Sequence, residues 1–365
     1  MEPGQKPKGL DMGKKMILQK NDDLEVYMFN VGRGLAMLIK TPHNHVIIYD
    51  LGSSEELSPV ADIYHKAGFF SQMEGSERKI AQCIISHPHL DHISDLTDEN
   101  AKFVNTNSDY VTCQNDKDGN LYGHKIDFSR INNQNAEMQV KNYKGLYAKR
   151  ELPLRSFDPN VEGNFQLGVY YLKNSKVSEL FPNDDQEYSN SLSIVLYLSY
   201  DGDSILIPGD ITPKAFDLIL KGECEKRFTD CSAQMSDGLK NRWRTLTCSQ
   251  PNLGDLLKEK GLTVLVAPHH GLKSGYPECL FDLLRGNKPK IILISEMSQS
   301  ENSGSVDKRY QDGTCSKGVT IDSKTRYSLT TRKDGHIKVS FKSNAKGWLV
   351  ISQILKICFK EMVHG

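Results

Sequence analysis

The feature that most restricts this chain is a short polar phrase at the exit of an apolar run. Ile80 to Ser86 reads as a buried strand and runs straight into His87-Pro88-His89-Leu90-Asp91-His92. Three of the chain's eleven histidines fall within these six positions, beside a carboxylate. Two neutral imidazoles two residues apart at a strand end can reach one cation. Asp91 and His92, just beyond, turn the other way and can reach a second. Zinc and manganese accept such mixed nitrogen and oxygen sets. The competing reading is a polar loop that holds histidines by chance.

Two more strand exits repeat the placement. Ser204 to Pro208 ends in Gly209-Asp210, and Thr263 to Ala267 ends in Pro268-His269-His270-Gly271. Alone, Gly-Asp after a strand is an ordinary turn, and a His-His pair is an ordinary surface pair. Together the three phrases put polar residues at the ends of buried strands, so that all can line one rim. That joint placement points to a metal centre.

The rest of the chain reads as an α/β domain. Leu24 to Asn30, Leu35 to Lys40 and His45 to Asp50 form a β-meander, with turns at Val31-Gly32-Arg33-Gly34 and Pro42 to Asn44. Apolar spacing predicts a helix over Pro59 to Phe70. Strands at Ser191 to Tyr200 and Ser204 to Pro208 flank the turn Asp201-Gly202-Asp203. Helices follow at Pro213 to Lys221, Leu253 to Lys260 and Cys279 to Arg285, the first with proline near its first position. Later strands are expected at Lys290 to Ser295, Tyr327 to Thr331 and His336 to Phe341, with a turn at Lys333-Asp334-Gly335 before the last. The pattern weakens over about 98–187 and 222–252, which read as two insertions into one domain spanning 21–365. Residues 1–20, rich in Lys, Gly and Pro, read as a disordered lead-in.

Composition sets limits. Lys plus Arg equals Asp plus Glu at 46 each, so no global basic field draws in nucleic acid, although a local groove stays open to it. No apolar run has the length of a bilayer span, and no secretory signal is evident. Eight cysteines without a CxxC pair point to a reducing, cytoplasmic setting and no membrane partner. A zinc site from Cys224, Cys231 and Cys248 would lack the paired spacing such sites show.

The order HxHxDH, GD, HHG resembles the metallo-β-lactamase superfamily. A finer likeness is to the hydrolase domain of ComEC-type competence proteins. That family opens on a phrase like DVGQGDA, where this chain has Asn30-Val31-Gly32-Arg33-Gly34-Leu35-Ala36. Ile48-Tyr49-Asp50-Leu51-Gly52 is similar to its I-D-x-G strand end, Asn190-Ser191-Leu192-Ser193 to its N-N-x-S segment, and Ala267 to Gly271 to its closing motif. Leu35 stands where the family often has Asp, and Leu272 where Ser usually follows HHG. Classical superfamily members also carry a further histidine between HxHxDH and GD, where this chain has Asn190 and Ser191.

The resemblance implies an αββα metallo-β-lactamase sandwich, with a long insertion after HxHxDH, around two divalent ions, zinc or manganese. His87 and His89, with Asp210, would hold the first ion. Asp91, His92, Asp210 and His269 would hold the second, His269 being preferred to His270 because it comes first off the strand. His270 would face substrate and steady phosphoryl oxygens or protonate the leaving group, while Asp91 or Asp210 orients the nucleophile. Asp50 would orient a ligand histidine or simply cap its strand. Asn190, Ser193, Lys273 and Ser274 are the substrate-side candidates, with a solvated loop as the alternative for the last two. Thr330, Thr331 and Arg332 resemble a substrate-side turn, though a plain hairpin fits them as well. In the first insertion Tyr110, Tyr122, Tyr143 and Tyr147 are candidates to stack bases, with Lys125, Arg130, Lys141 and Lys144 to hold backbone charge, and a solvated, partly folded insertion is the alternative. The expected activity is a phosphodiesterase or nuclease acting on nucleic acid or nucleotides. A small-molecule phosphoesterase or lactonase on the same centre, and a binding protein that kept the fold, are the alternatives.

Overall fold

The computed structural model describes residues 18, 21–42, 44–65, 80–112, 126–131, 136–146, 165–230, 251–296, 305–342 and 349–354. Along the chain the first strands are β1 (Leu24–Met28), β2 (Ala36–Lys40), β3 (Val46–Leu51), β4 (Ile80–Ile84), β5 (Ser108–Thr112), β6 (Gln166–Tyr171), β7 (Val195–Tyr200) and β8 (Asp203–Ile207). The later ones are β9 (Glu225–Asp230), β10 (Val264–Val266), β11 (Ile291–Ile294), β12 (Val319–Ile321), β13 (Lys324–Arg326), β14 (Ser328–Thr330), β15 (His336–Phe341) and β16 (Leu349–Ile354).

They build two seven-stranded sheets in a mixed α/β fold, with β12 and β13 as a separate hairpin. The first sheet runs β16-β15-β1-β2-β3-β4-β5, and the second β14-β11-β10-β8-β7-β6-β9. In the first, β3, β4 and β5 are parallel. In the second, β8, β10, β11 and β14 are parallel. Parallel strands end at the same edge, so the exits of β8, β10, β11 and β14 share one rim.

Burial explains the strands' composition. Val26, Met28, Met37, Ile39, Ile47 and Ile84 of the first sheet share one apolar cluster with Leu196, Leu198, Ile205, Ile207, Val264 and Leu293 of the second. The alternate residues, such as Tyr27, Leu38, Ile48, Leu206 and Leu265, belong to a second cluster that also holds helix residues, Ala215, Phe216 and Ile219 among them. With both faces covered, these strands read as near-continuous apolar runs.

Several expectations need correction. The segment 98–187 is not one insertion. Helix Asp98–Asn107 leads into β5, an edge of the first sheet, and β6 is an inner strand of the second. The segment 222–252 likewise opens with β9, the edge strand beside β6. Both edges carry polar residues, SDYVT and EKRFTD, because an edge strand has one side to solvent. That polarity hid them. Residues 113–125, 147–164 and 231–250 lie outside the described residues, and so do Tyr122, Lys125, Tyr147, Cys231 and Cys248.

The segment at Pro59 winds as a π-helix over Pro59–Tyr64, and 66–79 lies outside the described residues. Ser191 ends helix Asp185–Ser191 and does not start a strand; Asp184 caps that helix through Glu187 N at 3.0 Å. Thr331–Asp334 is one helical turn, not a hairpin turn. The lead-in, residues 1–17 and 19–20, lies outside the described residues, whereas Leu18 is buried in the second cluster. No helix among the described residues is long and apolar enough to cross a membrane.

Candidate metal centre

The three phrases meet. Asp91 and His92 lie on the short helix Leu90–Ile93 that follows β4. Asp210 follows β8, and His270 follows β10. One ligand atom from each of Asp91, His92, Asp210 and His270 lies within 4.8 Å of every other. His92 Nε2 stands 3.3 Å from Asp210 Oδ1 and 3.9 Å from Asp91 Oδ1. His270 Nε2 stands 3.3 Å from Asp91 Oδ2 and 3.4 Å from Asp210 Oδ2.

These contacts are not hydrogen bonds. His92 Nε2 and His270 Nε2 are buried and have no hydrogen-bond partner among the described residues. Buried polar atoms almost always have partners. Two orphaned imidazole nitrogens facing two carboxylates are what a divalent cation would satisfy. The donor set, two nitrogens and two carboxylates, suits zinc or manganese.

The support behind the ligands is equally specific. Asp50, fully buried at the end of β3, accepts from Ser86 N at 2.6 Å, from Ser86 Oγ at 2.8 Å and from His92 Nδ1 at 2.7 Å. An acceptor on Nδ1 keeps a proton there, so that Nε2, on the Asp210 side, is the nitrogen a metal would take. Asp50 therefore orients the His92 ring. Ser86 Oγ also meets His87 Nδ1 at 3.0 Å. The loop that carries Asp210 is held by Ser193, whose Oγ accepts from Asp210 N at 3.0 Å.

The electrostatics follow from this packing. Burial alone would push His92 down, but the facing carboxylates of Asp210 and Asp50 more than reverse it. His270 behaves in the same way and is pushed up to about 9 by Asp210 and Asp91. Burial would raise Asp91 and Asp210, yet the imidazoles against them hold both below the usual carboxylate range. His87 is pushed down by burial and by the neighbouring imidazoles. His89 falls to about 4, chiefly by burial.

The sequence prediction is met unevenly. His87 and His89 sit beside the four-residue group, not within it, with His87 Nε2 at 3.0 Å from His89 Nδ1. The four-residue group takes in His270, where the sequence reading preferred His269. Residues 269 and 270 both take left-handed backbone angles, φ +48° and +55°, which carry the second imidazole inward. His269 is left at the cleft wall, with Nε2 3.9 Å from Asp210 Oδ2 and Nδ1 3.5 Å from Ser274 Oγ.

The substrate-side candidates fare worse. Ser193 and Asn190 are buried, one beneath Asp210 and the other accepting from Gln186 Nε2 at 3.4 Å. Lys273 and Ser274 are exposed on the turn after His270, outside the lining of the cleft. Tyr143 is fully buried, and Arg130 is engaged with Asp185 at 2.7 Å and over the Tyr188 ring, so neither is free to stack bases. The cleft that opens on the centre has a volume of about 390 Å³. It is lined by Arg33, Ser53, Ser94 and Gln186 as well as His89, Asp91, Asp210 and His269. Arg33 and Gln186 were missed because one sits in what reads as a bare turn and the other in an assumed insertion.

No protein-family model matches this sequence, and no curated protein matches it, so a functional reading rests on the site's own geometry.

Proposed function

We propose that this protein is a metal-dependent hydrolase of phosphodiesters, in nucleic acid or nucleotides, built on an αββα metallo-β-lactamase sandwich that carries two divalent ions. The observation that carries the reading is the pair of orphaned nitrogens, His92 Nε2 and His270 Nε2, converging on Asp91 and Asp210. Those four residues would hold one ion. His87 and His89, adjoining them, would with Asp210 hold the other. Bound divalent ions would supply Lewis acidity and make a water acidic enough to serve as nucleophile near neutral pH.

The chain's own groups account for the rest. Asp50 keeps the His92 proton on Nδ1, so Nε2 stays available as a donor of electrons. Ser193 fixes the backbone of Asp210. His269, on the cleft wall, takes the substrate-facing role first given to His270: its imidazole is placed to steady a phosphoryl oxygen or hand a proton to the leaving group. The cleft's polar walls orient the substrate.

The test is metal content by elemental analysis, with zinc- or manganese-dependent cleavage of DNA, RNA and bis-p-nitrophenyl phosphate. Wild type should hold about two ions per chain and cleave at least one of these. Asp91→Ala should lose metal and cleavage together. A wild type that binds no metal and cleaves nothing overturns the reading.

A further inference from the structure

The turn between β1 and β2 brings one strong cation to the cleft. Arg33 is the only Arg or Lys among the cleft's lining residues. Its turn is tied down on several sides. Asn30 N donates to His336 Nδ1 at 2.9 Å, Leu35 N donates to Asp91 O at 3.1 Å, and Ser295 Oγ donates to Gly34 O. The Arg33 backbone is therefore placed as firmly as the ligands themselves.

Its side chain is differently disposed. Its one ion-pair partner among the described residues is Asp91, with Nε 3.5 Å from Oδ2, and the side chain is 54% exposed. A guanidinium has five donors in a rigid fork. An arginine serving only to neutralise Asp91 would lie buried against it in a short, two-pronged pair. Arg33 instead touches Asp91 at long range, through Nε alone, and lines the open cleft half-exposed. Asp91 Oδ2 is the same oxygen that faces His270 Nε2. If that oxygen is engaged by an ion, Arg33 is left to pair with an incoming anion.

We propose that Arg33 is the substrate-charge determinant of this site: it binds a non-bridging oxygen of a phosphodiester monoanion seated in the cleft, and so selects anionic diesters over neutral esters and lactones. This rests on the hydrolase reading for its biological meaning, but the anion site itself is tested by binding alone. Arg33 is a binding residue, and the histidines and aspartates keep the ion and the proton transfers.

The probes are diphenyl phosphate, a monoanionic diester, and methyl diphenyl phosphate, its neutral triester. Both are titrated calorimetrically into metal-loaded wild type, Arg33→Gln and Arg33→Lys, with metal content measured on each sample. One charge-assisted contact at a half-exposed position corresponds to a change of about tenfold. Arg33→Gln should therefore bind the anion about tenfold more weakly and the triester unchanged, with Arg33→Lys between. A thymidine dinucleotide and a longer oligothymidylate, run alongside, tell whether a nucleotide or a strand fits the cleft; the Gln loss must appear in whichever binds.

Unchanged anion binding in Arg33→Gln overturns the proposal. So does an equal loss for anion and triester, which would mean the change altered the cleft's shape and not its charge. A wild type that binds neither probe overturns it as well. Failure of the hydrolase reading looks different: metal-loaded wild type cleaves none of the diesters, with the Arg33-dependent anion binding still present.

Discussion

Replacing Asp50 by Asn tests the support behind the centre without disturbing its shape. The two side chains are nearly isosteric. Asp50 has a left-handed backbone, φ +59°, which Asn adopts more readily than most residues, so the backbone is spared. The hydrogen bonds are not spared. An Asn oxygen can still accept from Ser86 N, but an NH2 then replaces the oxygen that accepts from Ser86 Oγ and from His92 Nδ1. When the His92 ring gives up a proton to bind an ion, the donor–donor clash favours keeping the remaining one on Nε2. That proton then points at Asp210 Oδ1, 3.3 Å away, where an ion would need a lone pair. Binding must reverse the tautomer against the clash, and lost support of this kind costs about 10- to 100-fold in metal affinity, or about 1.4–2.7 kcal/mol. Two charge-assisted bonds inside a fully buried site are also weakened, so the metal-free protein should lose about 2–4 kcal/mol of unfolding free energy. Zinc affinity by competition with a chromophoric chelator reads the first effect, and denaturant unfolding in EDTA reads the second. An Asn variant that binds zinc within about twofold of wild type would refute the reasoning, and Asp50 would be no more than a strand-end cap.

Other outcomes follow from the same geometry. His270→Ala should lose bound metal on dialysis, whereas His269→Ala should keep its metal and lose turnover; the reverse pattern in elemental analysis would restore His269 as the ligand. Gly209→Ala should lower the unfolding free energy by about 1–3 kcal/mol, read as a lower denaturant midpoint. The residue has φ +60°, and a Cβ there would meet Ser86 Cβ at 2.9 Å and Ser193 Oγ and Tyr49 Oη at 3.1 Å. Glu25 is far from the centre. Burial raises its carboxyl, but Lys338 at 2.7 Å, Tyr27 at 2.7 Å and the Lys40 charge bring it below its ordinary value. A lowered carboxyl stabilises the fold above its unfolded pKa, and that contribution disappears as pH falls through the folded value. Glu25→Gln should therefore flatten the acid limb of stability against pH below about pH 4.3, read by thermal unfolding in a pH series; an unchanged slope would count against the pair.

How much could be read in advance depended on where each feature sits. The ligands were legible because each follows a run of apolar residues, and such runs are hard to mistake for anything but buried strands. His92, Asp91 and Asp210 needed no more than that. The choice between His269 and His270 was not legible, because it turns on two consecutive left-handed residues, which histidine itself does not announce. Edge strands β5 and β9 were hidden by their own polarity. Strand β16 was not anticipated at all, although it pairs along the whole length of β15. Asn190 and Ser193 were set on the substrate side through the resemblance of Asn190-Ser191-Leu192-Ser193 to a family segment, and both are buried.

The ligand-bearing exits are tied to one another and not only to their own strands. Ile194 N donates to Ser86 O at 3.0 Å, joining the β7 entry to the β4 exit. His269 N donates to Gly209 O at 3.1 Å, joining the β10 and β8 exits. Leu35 N donates to Asp91 O, and Gly52 N to Leu35 O at 2.9 Å, joining the β2 and β3 ends to the ligand helix. Close approach makes the last junction possible: a Cβ at Gly34 would lie 2.5 Å, and at Gly52 2.6 Å, from Asp91 O. Those two glycines sit in separate turns, yet both are needed so that three backbones can crowd around one carbonyl oxygen. The segments that carry Asp91, Asp210 and His270 are thus tied by main-chain bonds to neighbouring strand ends, and the bond from Ile194 N to Ser86 O joins the two sheets.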